Sequence, residues 1–264
     1  MTEPFDFSGR HVFVAGGTSG INFGIGAAFA KAGARVSVLS RAAEKVKEAV
    51  ERLGAGAWGQ PADVRSYDAV AAALAGAVAH SGPIDVLISG AAGNFVAPAL
   101  GMSANGFKAV VDIDLLGTFN VVRAGFEHLR RPGASIINIS APQAVNASAL
   151  QAHVCAAKAG IDMLTQCLAI EWGPEGVRVN AIIPGPIEGT EGMARLAPTE
   201  DAAAAVRGNV PLRRYGTLED VANLALFLAS PLASYISGAI IPVDGGSTAS
   251  GGRGLVQAMA VNRP

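Results

Sequence analysis

Short apolar runs alternate with longer stretches of helical periodicity along nearly the whole chain. His11–Ala15 (HVFVA) reads as a strand bounded by glycines. Val36–Leu39, Ala57–Gln60, Asp85–Ser89, Ser135–Ile139, Arg178–Ile183 and Ala239–Val243 read as six more. Helical patterns fall between them near Phe23–Ala32, Ala42–Leu53, Tyr67–His80, Asn105–Leu129, Val154–Trp172 and Leu218–Leu228, and Gly33 stops the first. This alternation predicts an α/β fold: a doubly wound parallel sheet of about seven strands, with helices on both faces and right-handed crossovers. No linker, repeat or low-complexity segment divides residues 1–264, so one domain is expected. The rhythm breaks at Gly189–Val210, after a late strand, on the side where such sheets bind ligands. A mobile flap is expected there, and little structure over Ser247–Pro264.

Composition narrows the class without changing the fold. Of 264 residues, 50% are hydrophobic and 16% charged, against a usual charged share of about 25%. The mean hydropathy is +0.37, but the longest apolar run, near Ala69–Ala79, is well short of the ~18 residues of a membrane span. The hydropathy therefore reads as a thick buried sheet. The net charge is −1, and Arg130-Arg131 and Arg213-Arg214 are isolated basic pairs. Neither a nucleic-acid surface nor a membrane partner is expected. The polar, acidic start MTEPFDFSGR does not resemble a secretory signal. Cys155 and Cys167 are expected to be buried, reduced thiols of a cytoplasmic protein, and no Cys/His spacing suits a metal.

The candidate chemistry starts after the first strand. Ala15-Gly16-Gly17-Thr18-Ser19-Gly20-Ile21-Asn22 joins it to the first helix. A glycine-rich turn there lets backbone N–H groups approach a pyrophosphate, and the helix N-terminus adds a favourable dipole. The expectation is a Rossmann fold that binds a dinucleotide. At the end of the second strand stand Ser40 and Arg41 rather than an acid. An acid would hold both ribose hydroxyls of NAD, whereas a hydroxyl and a guanidinium suit a 2′-phosphate, so NADP(H) is expected.

The loop spacing resembles that of short-chain dehydrogenases/reductases, Gly-x-x-x-Gly-x-Gly. Gly16 and Gly20 match its first two glycines, and Asn22 stands at the third. An alternative match, Gly20-Gly24-Gly26, leaves only about two turns of helix before Gly33 and is not preferred. Gly24 and Gly26 then lie inside the helix, where close approach to the sheet or cofactor is expected. By the same resemblance, Asp63-Val64 stands beside an adenine, Ser89-Gly90-Ala91-Ala92-Gly93 forms the turn after the fourth strand, and Pro184-Gly185-Pro186-Ile187 holds a carboxamide. The implied cofactor set is Gly16, Thr18, Ser19, Gly20, Ile21, Asn22, Ser40, Arg41, Asp63, Val64, Ala91, Lys158, Pro184, Gly185, Ile187 and Thr190.

The catalytic positions depart from the ordinary pattern of Asn, Ser, Tyr and Lys. Lys158 remains, but Val154 stands four residues before it where the Tyr belongs, Ala141 replaces the Ser, and Asp114 the Asn. Interconverting an alcohol and a ketone needs a proton carried on oxygen, and neither Val154 nor Ala141 carries one. That leaves a dead enzyme, another acid, or a reaction needing no proton on oxygen. The segments Ala91–Phe95, Asp112–Asp114, Glu171–Pro174, Gly185–Gly192 and Ala229–Tyr235 resemble the peroxisomal type of 2,4-dienoyl-CoA reductase. That subgroup lacks the Tyr and relies on an Asp and a Lys, here Asp114 and Lys158. The resemblance implies NADPH-dependent reduction of a conjugated acyl thioester, with acyl-CoA contacts at Arg65, Phe95, Ser103, Asn105 and Arg195, and a homotetramer. The C-terminal Val261-Asn262-Arg263-Pro264 is no peroxisomal tripeptide, so a bacterial, cytoplasmic relative is expected. The alternatives are another enoyl-thioester or conjugated-carbonyl reductase, and a non-catalytic NADP(H)-binding regulator. His153 is open to three roles: proton donor, helix cap or pocket lining.

Overall fold

In a computed structural model, which describes residues 5–250 apart from the side chains of Arg195 and Leu196, seven strands form one parallel sheet. They are β1 (His11–Ala15), β2 (Arg35–Ser40), β3 (Trp58–Pro61), β4 (Val86–Ser89), β5 (Ser135–Ile139), β6 (Arg178–Pro184) and β7 (Ile240–Val243). Their spatial order is β3-β2-β1-β4-β5-β6-β7, with every neighbouring pair parallel. The helices are α1 (Gly20–Lys31), α2 (Ala43–Leu53), α3 (Tyr67–Ser81), α4 (Ala104–Val111), α5 (Gly117–Phe126), α6 (Ala152–Trp172), α7 (Glu191–Leu196), α8 (Glu200–Asn209) and α9 (Leu218–Ala229).

Because helices cover both faces, β1 is buried at every position rather than alternating. Val12 and Val14 pack with Ile25 and Phe29 of α1 and Val221 of α9. Phe13 and Ala15 face the opposite core with Leu74 of α3 and Val121 of α5. The buried His11 is held by three bonds: Nδ1 to the Gly82 carbonyl, Nε2 to Ser37 Oγ, and its backbone N–H donating to Asp85. The strand order reverses beside β1. Ala15 is in register with both Leu39 of β2 and Ser89 of β4, so the crevice at these C-terminal ends is where such a sheet takes a ligand.

Several sequence expectations need correction. The first helix starts at Gly20, not Phe23, because the loop feeds directly into it despite the poor helix propensity of its first residues. The single helix expected over Asn105–Leu129 is α4 and α5 joined by a π-helical turn, Asp112–Leu116, and it ends at Phe126. Gly24 opens α1 not to the sheet or cofactor but to α9, where a Cβ would lie 2.8 Å from Leu218 Cβ, whereas Gly26 does face the sheet at Val36. Cys155 is half-buried and Cys167 exposed, because Cys167 lies off the α6 face that buries Ile161, Thr165 and Leu168. Gly189–Val210 contains α7 and α8. Thr248–Ser250 forms one helical turn, and residues 251–264 lie outside the described residues. No described helix is long and apolar enough to cross a membrane.

Candidate active site

The phosphate loop meets the turn after β4 at close range. Gly16 has φ +79°, and a Cβ on it would sit 2.9 Å from the Ala91 backbone. Only glycine satisfies both conditions. Asn22, at the third glycine position, donates from Nδ2 to the Gly90 carbonyl at 2.7 Å. A Cβ on Gly90 would lie 2.1 Å from Asn22 Oδ1. Asn22 therefore clamps α1 to the β4 turn, which no local pattern could have revealed.

The N-terminus of α1 is left open. Ser66, Ser103, Thr190, Thr199 and Thr217 each cap their own helix by accepting a backbone N–H. Ser19 makes no such bond, and the first turn of α1 carries no acid. Uncapped N–H groups at a helix N-terminus are the donors an anion needs. They face a cleft of about 610 Å³ lined by Gly16, Thr18, Ser19, Asn22, Ser40, Arg41, Lys45, Asp63, Val64 and Ala91, among others. Arg41 and Lys45 bring two cations to its β2 end. Lys45, in the first turn of α2 and 3.6 Å from Glu191, lines the same cleft, and sequence reasoning did not single it out. These features fit a dinucleotide. Gly20 and Thr190 bring the loop against the start of α7, with a Cβ on Gly20 lying 3.9 Å from Thr190 Cγ2.

The other expected cofactor residues are locked into the frame. Ile21 packs against the core, and the Val64 carbonyl accepts from Asn120. Asp63 is doubly hydrogen-bonded by Arg65, which holds its carboxyl below the usual range; partial burial opposes this and the Arg41 charge adds to it. Pro184 ends β6, and a Cβ on Gly185 would lie 2.5 Å from Asp244 Cα. Ile187 is buried, and Thr190 donates to its carbonyl while capping α7.

Asp114 and Lys158 meet deep in the fold, with side chains 1% and 7% exposed. Asp114 lies in the π-helical turn, an irregularity frequent at functional sites. Its Oδ1 accepts the Gly93 N–H at 2.8 Å, and its Oδ2 lies 3.3 Å from Lys158 Nζ. Lys158 also donates to the Ile139 carbonyl at 3.1 Å. One ion pair thus ties together the turn after β4, the end of β5 and helix α6. Beside it, Val154 is buried with Val110 and Ala157, an apolar wall with no proton to give. The arrangement offers fixed positive charge and a carboxylate, but no phenol.

Of the expected acyl-CoA contacts, three come together. A Cβ on Gly106 would touch Phe95 Cζ at 3.4 Å and Ser103 Oγ at 3.3 Å, so Phe95 lies on the α4 N-terminus beside Ser103 and the exposed Asn105. Arg65 is turned to Asp63. The Arg195 side chain falls outside the described residues. His153 is not a helix cap: its ring lies tilted against Phe95, with centroids 4.4 Å apart and the planes at 44°.

Residues 15–248 match the family described as enoyl-(acyl carrier protein) reductase. The peroxisomal 2,4-dienoyl-CoA reductase [(3E)-enoyl-CoA-producing] of Rattus norvegicus is 46% identical over 241 residues, covering 89% of this chain and 82% of its own. The probable 2,4-dienoyl-CoA reductase [(2E)-enoyl-CoA-producing] of Bacillus subtilis is 42% identical, covering 90% of this chain and 96% of its own. The Pseudomonas aeruginosa RhlG/NADP active-site complex superposes with a TM-score of 0.87 at 28% identity, covering 94% of this chain and 100% of its own.

Proposed function

Since the chain belongs to the short-chain dehydrogenase/reductase family, we propose that it is an NADPH-dependent 2,4-dienoyl-CoA reductase that yields the 3-enoyl thioester. The family makes it an oxidoreductase with a nicotinamide cofactor. The observation that carries the finer reading is the buried Asp114–Lys158 pair beside Val154, where a ketone reductase needs its tyrosine.

The open N-terminus of α1 holds the pyrophosphate, and Ser40, Arg41 and Lys45 hold a 2′-phosphate. When bound, the reduced nicotinamide supplies the hydride. With the hydride on C5, the remaining double bond moves to C3–C4 and negative charge collects on the thioester oxygen; a proton on C2 completes the product. Lys158 supplies positive potential to that charge and holds the nicotinamide ribose. Asp114 passes a proton through water, its orientation set by Gly93. Phe95, Ser103, Asn105, Arg65 and Arg195 receive the acyl-CoA, and residues 189–210 close over it as a flap. The assembly is a cytoplasmic homotetramer.

The test is NADPH oxidation against a panel of dienoyl-CoA, enoyl-CoA and ketone substrates in deuterated water. Turnover of dienoyl-CoA with the double bond at C3 and deuterium at C2 supports the reading. A chain that reduces ketones and no dienoyl-CoA overturns it.

A further inference from the structure

Among the described residues, seven buried side-chain nitrogen and oxygen atoms lack a hydrogen-bond partner. Six of them gather at β5 and α6: Asn138 Oδ1, Ser140 Oγ, Gln151 Nε2, both ring nitrogens of His153, and Asp162 Oδ1. His153 is the extreme case. Its side chain is 0% exposed, and neither nitrogen is bonded. Leaving a buried polar group unpaired is destabilising, because burial removes the water that would otherwise satisfy it. The same fold shows what a structural histidine looks like: His11 is equally buried, and both its nitrogens are paired.

The position of His153 says what the missing partner is. It lies in the first turn of α6, next to Val154 and five residues before Lys158. Phe95, tilted against its ring, belongs to the turn whose Gly93 N–H holds Asp114. Ala97 of that turn donates to the carbonyl of Leu150, which has φ +66° just ahead of α6. A leucine in the left-handed region is held there only by its surroundings. The imidazole is thus fixed between the turn that orients Asp114 and the helix that carries Lys158. At the reacting end, a dienoyl chain brings one acceptor, the thioester oxygen. Val154 and Ala141 have no donor for it, and Lys158 is already bonded to Asp114 and Ile139.

Resting on the dienoyl-CoA reading, we propose that His153 donates a hydrogen bond to the thioester carbonyl oxygen of the substrate once Phe95, 42% exposed, swings off the ring. A preorganised donor aimed at developing oxyanion charge is the electrostatic help that the lost tyrosine no longer gives.

The experiment compares binding of hexanoyl-CoA and S-hexyl-CoA, a thioether without the carbonyl oxygen, to the NADP-loaded full chain by calorimetry. The original chain should prefer the thioester by about tenfold, the worth of one hydrogen bond. His153→Phe should bring the ratio to about one and lower dienoyl-CoA kcat by about a hundredfold. The same variant, free of orphaned nitrogens, should melt higher than the original without ligand. His153→Gln, which keeps a donor, should recover part of the ratio, and it carries the comparison if the Phe variant does not fold. An unchanged ratio in His153→Phe, or a lower melting temperature with unchanged kcat, overturns the proposal and marks a water-bridged structural histidine. Failure of the dienoyl-CoA reading alone looks different: no conjugated thioester turns over, yet the binding ratio is still lost with His153→Phe.

Discussion

Replacing Asp114 with asparagine changes one atom's chemistry and little else. The amide oxygen can still accept the Gly93 N–H at 2.8 Å. The change falls on the other side, where a carboxylate oxygen 3.3 Å from Lys158 Nζ becomes an NH₂ group. Two donors then face each other in a buried setting, the side chains being 1% and 7% exposed. Removing one partner of a buried ion pair costs about 3–5 kcal/mol. The lower end applies because the Ile139 carbonyl still accepts from Lys158. At about 2–4 °C per kcal/mol for a chain of this size, the melting temperature should fall by roughly 6–12 °C. Turnover should fall by at least about a hundredfold, the usual worth of a positioned proton-transfer group, with NADPH affinity nearly unchanged. Thermal melts, NADPH titration and single-turnover dienoyl-CoA reduction read the three quantities separately. Full turnover at every pH tested would remove the proton-relay role and leave Asp114 as a structural partner of Lys158. An unchanged melting temperature would show that the pair contributes no net stability.

Four further outcomes are expected. NADPH should bind at least about tenfold tighter than NADH, roughly 1.4 kcal/mol, and Arg41→Asp should abolish or reverse that preference; equal affinities by calorimetry in the original chain refute the assignment. Gly90→Ala should displace Asn22 and weaken cofactor binding by about 1 kcal/mol, one lost hydrogen bond, and Asn22→Ala in the same chain should add little to the loss if the clamp is the cause. Burial pushes the Asp162 carboxyl above its ordinary 3.8, with the Lys158 charge pulling it partly back. The folded chain therefore binds that proton more tightly than the unfolded one, and stability drains away as pH rises from 3.8 through the raised value. Asp162→Asn should accordingly raise the melting temperature at neutral pH and lose that advantage as pH falls below 3.8, which melts across pH will check. Leu116 and Phe119 near α5, and Met163 and Ile170 on α6, leave apolar surface exposed, so light scattering should find the homotetramer, and a stable monomer would refute it.

Local pattern encodes a large part of this molecule. Apolar runs of strand length between amphipathic helices specify a parallel sheet buried on both faces, and all seven strands fall within two residues of where that pattern puts them. A glycine cluster between β1 and α1, and Ser40-Arg41 at the end of β2, were legible because each acts through its own backbone or charge, and they line one cleft. Val154 at the tyrosine position was equally plain, since an absent hydroxyl is visible in one letter. Packing alone assigns the partners. Gly24 opens to Leu218, Asn22 reaches Gly90, Gly93 holds Asp114, and His153 finds no partner while His11 finds two. Periodicity says which side of an element is apolar but not which residue of another element faces it. The π-helical turn at Asp112–Leu116 escaped for the same reason: its apolar spacing is compatible with an ordinary helix. Whether a buried polar atom is satisfied depends on groups brought together from distant parts of the chain, so only the packed fold could separate His153 from His11.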